Sequence, residues 1–138
     1  MLNLAKNYAS KMRNTPKAPG RVLIVDDEEL VRSYLKRSLE RRGYAVVEAF
    51  DGRSALAELA QSKVDVMVLD MTMPDIDGAE VVRRVRAGGS TLPIVISSGY
   101  LDADVERRLE RGMFQCFLVK PYGIAELVDA IESARARA

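Results

Sequence analysis

The stretch VMVLDMTMPDIDG, residues 66–78, carries four apolar residues straight into Asp70 and then sets Pro74, Asp75, Asp77 and Gly78 within the next eight positions. An apolar strand that ends on a carboxylate must present it to something, because a buried charge without a partner is costly. The run reads as a parallel-sheet strand followed by a turn. Pro74 and Gly78 shape the loop, and Asp75 and Asp77 read as solvated or capping acids.

Working outward from this strand, short Val- and Ile-rich runs alternate with longer segments of helical period from Arg21 onward, the pattern of βα units around a parallel sheet. Strands are expected at Val22–Val25, Ala45–Ala49, Val64–Leu69, Ile94–Ser97 and Cys116–Val119. Leu30, Val31, Tyr34, Leu35 and Leu39 mark a first helix closed by Gly43. Ala55, Leu56, Leu59 and Ala60 mark a second. Val81, Val82 and Val85 mark a third, ended by Gly88 and Gly89, while Val105 and Leu109 mark a fourth that Gly112 stops. Ile124, Leu127, Val128 and Ile131 mark a fifth. Strands apolar on both faces imply helices covering both sides of the sheet.

Composition narrows the chemistry. The 138 residues suit one compact domain. Lys and Arg number 21 against 20 Asp and Glu, so the net charge of +1 gives no footprint for nucleic acid. Residues 1–20 hold Lys6, Lys11, Arg13 and Lys17 and no acid, leaving 17 bases against 20 acids and a net −3 in the remainder. The chain therefore divides into a basic arm with linker, residues 1–20, and a folded body, residues 21–138. Cys116 is the only cysteine, so no intrachain disulfide forms, which fits a reducing cytoplasm. There is no histidine, which removes imidazole nucleophile pairs and any phosphohistidine on this chain. No apolar run is long enough to span a bilayer.

In open parallel sheets, ligands bind beyond the carboxyl ends of the strands. Asp26 and Asp27 follow the first strand, Asp70 ends the third, Ser97 and Ser98 end the fourth, and Lys120 with Pro121 follows the fifth. Three carboxylates brought to one rim repel, which raises the pKa of at least one, and a divalent cation relieves that repulsion. Hard oxygen donors with open water positions suit Mg²⁺, which commonly joins carboxylates to a phosphate. A lysine ammonium and a hydroxyl opposite complete a site suited to phosphoryl transfer.

The segments VLIVDDEE, LDMTMPDIDG, SSG after LPIVI, and FLVKPY resemble the four signature segments of the receiver domain of bacterial response regulators, over roughly residues 21–136. The resemblance implies an α/β, flavodoxin-like (βα)5 fold, a five-stranded parallel sheet of order 2-1-3-4-5 with helices on both faces. It implies a phosphoryl-accepting Asp70 and Mg²⁺ (or Mn²⁺) held by Asp27 and Asp70, with Asp26 close by and the backbone carbonyl of Thr72 contributing. Lys120 and Ser98 match the residues that contact the phosphoryl group, and Ser98 with Phe117 match the pair that switches on phosphorylation. Thr72 and Tyr100 match positions that tune how fast water reaches the phosphate. Gly112 lies five residues before Phe117, where the family more often has four.

Blander readings stand beside these. Alone, Asp27 reads equally well as an N-cap for the first helix. Lys120-Pro121 alone reads as a turn, Ser98-Gly99 as ordinary loop residues, and Cys116 and Phe117 as buried strand residues. In the arm, Leu4, Tyr8 and Met12 share a helical face, which fits an extra helix, solvated or packed on the body, or a membrane-surface or partner-binding segment.

Three functions follow. The first is a cytoplasmic switch of two-component or phosphorelay signalling, phosphorylated by a histidine kinase or histidine phosphotransfer protein and docking on a downstream target, not a turnover enzyme. The second is a phosphohydrolase with Asp70 as nucleophile, disfavoured because Thr72 stands where a second acid is wanted. The third is a phosphate-independent binding module on the same fold. With the sequence stopping after the fifth helix, output is expected through docking, relay or draining of phosphate, or the chain is the receiver of a hybrid histidine kinase.

Overall fold

The computed structural model describes residues 19–99, 109–110 and 112–137. The arm through residue 18, Tyr100 and Val105 of the expected fourth helix lie outside the described residues. Within them the chain runs β1 (Arg21–Val25), α1 (Glu29–Glu40), β2 (Ala45–Ala49), α2 (Gly52–Gln61), β3 (Val66–Asp70), α3 (Gly78–Ala87), β4 (Ile94–Ser98), β5 (Cys116–Val119) and α4 (Ile124–Arg137). All pairings are parallel and the sheet order is β2-β1-β3-β4-β5, as expected for the flavodoxin-like class.

Strand periodicity divides the core into two layers. On one face Leu23, Val25, Met67, Leu69, Ile94 and Ile96 pack against Ala55 of α2 and Val81, Val82 and Val85 of α3. On the other, Val22, Ile24, Val66, Val68 and Val95 pack against Leu35 and Leu39 of α1 and Leu127 and Ile131 of α4. Each fully buried Leu, Ile or Val side chain contributes about 1.5–3 kcal/mol. The central strands β1, β3 and β4 are therefore apolar on both faces. The edge strand β5 is only half-buried, so Cys116 and Phe117 are partly covered rather than fully buried.

Two local features differ from the sequence reading. Val31, Leu35 and Leu39 form the stripe of α1 that meets the core, whereas Leu30 and Tyr34, one position back along the helix, are 86% and 53% exposed. One residue along a helix is about 100° of rotation, which carries that pair off the buried face. The third strand starts at Val66 rather than Val64, since Asp65 lies at its entrance, where its carboxylate accepts the Arg21 N–H at 2.7 Å.

Turn and cap chemistry follows the sequence closely. Gly43 and Gly89 adopt φ of +92° and +85°, after α1 and α3 respectively. Asp77 caps α3 by accepting the Glu80 N–H at 3.0 Å. Asp51 and Ser54 form a reciprocal capping box at α2, whose two bonds hold the Asp51 carboxyl below its usual range. Asp75 is exposed and ion-paired to Arg53 at 2.7 Å.

Candidate functional site

The carboxyl ends of β1, β3, β4 and β5 converge, and the register brings Asp70 beside Ser97 and Ser98 beside Val119. Asp26 and Asp70 are 3% and 5% exposed, and Ser97 and Ser98 are also buried. Asp27 is exposed, two residues past the end of β1. Asp26, Asp27 and Asp70 each offer one carboxylate oxygen within 4.8 Å of the others.

Asp26 is held at four atoms. Its N–H donates to the Ala49 carbonyl at 3.2 Å, and its carbonyl accepts from Arg32 Nη1 at 2.7 Å. Its Oδ1 accepts the Glu28 N–H at 2.9 Å, and its Oδ2 accepts from Lys120 Nζ at 3.0 Å. The residue that turns the chain into α1 is thus Asp26. Glu28 occupies the N-cap position without a side-chain cap bond, so Asp27 does not cap this helix. Its carboxylate is left facing the rim.

Asp70 is anchored differently. Its Oδ1 accepts the Thr72 N–H at 3.1 Å, and its Oδ2 lies 3.4 Å from Lys120 Nζ. Burial pushes its pKa up; the Thr72 N–H and Lys120 pull it back, and the charge of Asp26 adds to the rise. Desolvation, more than acid–acid repulsion, is therefore the main cause. Lys120 shows the reverse balance: burial favours the neutral amine, but its bonds to Asp26 and the charge of Asp70 outweigh this and raise its pKa.

The loop after Asp70 returns close to its own start. The Gly78 N–H donates to the Met71 carbonyl at 3.2 Å. A Cβ at Gly78 would lie 2.7 Å from the Asp70 carbonyl oxygen and 2.8 Å from Met71 Cα, so only glycine fits there. The Met71 N–H in turn donates to the Ser97 carbonyl at 3.0 Å, and the Lys120 N–H to the Ser98 carbonyl at 2.8 Å. Backbone bonds thus tie the ends of β3, β4 and β5 into one rim.

The structure brings together Asp26, Asp27, Asp70, Ser98 and Lys120. Phe117 lies one turn of pleat below, packed against the α2–α3 core and paired in register with Ile96. Thr72 is exposed beside Asp70. Two contributors went unnoticed in the sequence. Tyr122, next to Pro121, is hydrogen-bonded to Ser97, and burial raises its pKa while Ser97 and Lys120 lower it. Arg32 grips the Asp26 carbonyl, yet nothing in the ELVRSYLKRSLE helix distinguishes it from its basic neighbours.

Three kinds of likeness bear on this geometry. Residues 22–132 match the family described as the response regulator receiver domain. Response regulator MprA of Mycolicibacterium vanbaalenii is 43% identical over 112 residues, covering 80% of this chain and 48% of that protein. The chain thus spans about half the length of the curated relatives it matches. Among solved structures, response regulator protein TrrA of Thermotoga maritima, in complex with Mg²⁺-BeF, is 29% identical with a TM-score of 0.74, over 83% of this chain and 98% of that one. Chemotaxis protein CheY4 of Vibrio cholerae is 30% identical with a TM-score of 0.77, over 83% and 98%. The chain belongs to the response regulator receiver domain family, the class used in two-component signalling.

Three converging carboxylates are a hard-oxygen donor set, and the raised pKa of Asp70 marks a site where a cation would relieve the cost of ionisation. The residues fit a divalent cation of the Mg²⁺ type.

Proposed function

We propose that residues 21–138 act as a phosphoryl-accepting switch, in which Asp70 takes a phosphoryl group from a phosphohistidine on a histidine kinase or histidine phosphotransfer protein. One observation carries this reading: the buried Asp70 carboxylate lies 3.4 Å from the Lys120 ammonium in a cluster with two further acids. An Asp70 carboxylate oxygen attacks phosphorus; the P–O bond of an acyl phosphate forms as the P–N bond breaks, and its electron pair returns to the donor imidazole. Lys120 and the Ser98 hydroxyl contact the phosphoryl oxygens and offset their charge.

Asp26, Asp27 and Asp70 with the Thr72 carbonyl would hold Mg²⁺ or Mn²⁺. When bound, that ion supplies the positive charge that lets an anionic acceptor approach an anionic donor. Movement of Ser98 toward the phosphoryl group vacates space that Phe117 follows, and the shift alters the face presented to a downstream protein. Thr72 and Tyr100 set the lifetime of the acyl phosphate by controlling water access. The protein's work is one phosphorylation and one slow loss of phosphate per signal rather than substrate turnover, and it takes place in the cytoplasm. Among the described residues no helix is long and apolar enough to cross a membrane.

Acetyl phosphate with Mg²⁺ tests the reading. An acid-labile, hydroxylamine-sensitive phosphate that disappears in Asp70→Asn supports it. Steady hydrolysis of phosphate esters would instead make the chain a phosphohydrolase. Absence of any phosphate, with partner binding unchanged in Asp70→Asn, would make it a binding module.

A further inference from the structure

Of the three clustered acids, Asp27 alone is exposed, so its aim depends on the turn that carries it. The Arg32 side chain grips the peptide that precedes Asp27. Its Nη1 donates to the Asp26 carbonyl at 2.7 Å, while the Arg32 backbone N–H makes the ordinary first-turn bond of α1 to the Glu28 carbonyl at 3.0 Å, which does not depend on the side chain. The guanidinium is held from the other side by Glu48 of β2, with Nε 3.5 Å from Oε1, and the Arg32 side chain is only 14% exposed. Lys36 shares the same glutamate at 3.9 Å. A side chain this covered, fixed at both ends, acts as a strut between β2 and the turn.

We propose that Arg32 is a positioning residue for divalent-cation binding, setting the direction of the Asp27 carboxylate by clamping the Asp26–Asp27 peptide through its carbonyl; this rests on the phosphoryl-switch reading above. Charge and position act in opposite directions here. A cation beside a cation site opposes binding, so charge alone predicts tighter binding when Arg32 is removed. Glu48, however, pairs with the guanidinium and cancels much of its field at the rim. Loss of the strut releases the carbonyl of the peptide before Asp27 while the other three bonds to Asp26 remain, and ordering that peptide again on binding corresponds to about tenfold in affinity. Residues supporting metal ligands characteristically carry effects of about 10–100-fold. Position therefore outweighs charge.

The test is direct Mn²⁺ binding to the full chain, read by electron paramagnetic resonance, in the wild type and in the charge-balanced variant R32M/E48Q. About tenfold weaker binding is expected, with phosphate uptake from acetyl phosphate returning to the wild-type rate at saturating Mg²⁺. Equal or tighter binding overturns the proposal, as does an uptake deficit that saturating Mg²⁺ leaves in place, which marks a general structural defect. If R32M/E48Q does not fold, R32Q carries the test: weaker binding supports the strut, and wild-type affinity overturns it. A wild-type chain that binds neither cation overturns the phosphoryl-switch reading together with this proposal. A wild type that binds while the variant matches it overturns this proposal alone.

Discussion

Lys120 bridges Asp26 and Asp70: its ammonium lies 3.0 Å from Asp26 Oδ2 and 3.4 Å from Asp70 Oδ2. One cation thus holds together two buried acids at the carboxyl ends of neighbouring strands. In the metal-free protein it does for that pair what a bound cation would do for the trio.

Lys120→Met is expected to lower stability at pH 7 by about 2 kcal/mol, less than for a fully buried pair because Lys120 is part-exposed. Its removal pushes the Asp70 pKa further up, so the deficit shrinks as pH falls and Asp70 takes up its proton. Urea unfolding at pH 7 and pH 4 measures the first effect. Phosphate uptake from acetyl phosphate should fall about a hundredfold.

Asp70→Asn should stabilise the metal-free protein. Burial raises the Asp70 pKa, so the folded chain binds this proton more tightly than the unfolded one, and wild-type stability is lost as pH rises past the ordinary carboxylate range. The asparagine has no such dependence. The two proteins should match near pH 3 and differ by about 1 kcal/mol in favour of Asn at pH 7, with Mg²⁺ reversing the order by stabilising the wild type. Denaturant midpoints at both pH values, with and without Mg²⁺, decide it.

Gly78→Ala should cost about 2 kcal/mol and slow phosphate uptake, because its Cβ would press on the backbone of Asp70 and Met71, which cannot give way. Gly88→Ala is the control: its Cβ would meet nothing nearer than 3.5 Å, and the change should stay within about 0.5 kcal/mol. Thermal melts of both variants separate the two outcomes.

Tyr44→Phe should cost about 1–2 kcal/mol. The Tyr44 hydroxyl donates to Glu132 Oε1 across the α1–α4 face, and Oε2 of the same glutamate is already buried without a partner among the described residues. Burial first, and then Glu132, holds the phenol far above the usual tyrosine range. Wild-type stability should therefore fall as pH rises through the ordinary range near 10, and the phenylalanine variant should fall less steeply, since only the raised Tyr122 and Lys120 contribute there.

Strand positions, to within two residues, and the gathering of Asp26, Asp27, Asp70, Ser98 and Lys120 were legible in the sequence, because parallel-sheet strands are continuous apolar runs whose ends announce themselves by polar residues, whereas the sheet order came only through the resemblance to the receiver family. Finer matters were not. An apolar residue on a helix carries no mark of whether another layer lies over it, so Leu30 and Tyr34 could not be told from Leu35 and Leu39. Two adjacent acids before a helix leave undecided which one turns the chain, and the Asp26 Oδ1 bond to Glu28 N–H settles that. Arg32 is invisible for a deeper reason: its partners are a carbonyl on β1's far end and a glutamate on β2, both set by tertiary geometry.

The inner strand β1 pairs with β2 on one side and β3 on the other, and its alternate residues belong to different cores. Insertion of a single residue there would exchange the two rows of side chains, send each toward the wrong helices, and carry Asp26 off the rim. Residues 88–91, by contrast, are exposed between α3 and β4. Natural variation in chain length among close kin of this protein should therefore collect in that loop and spare β1 altogether.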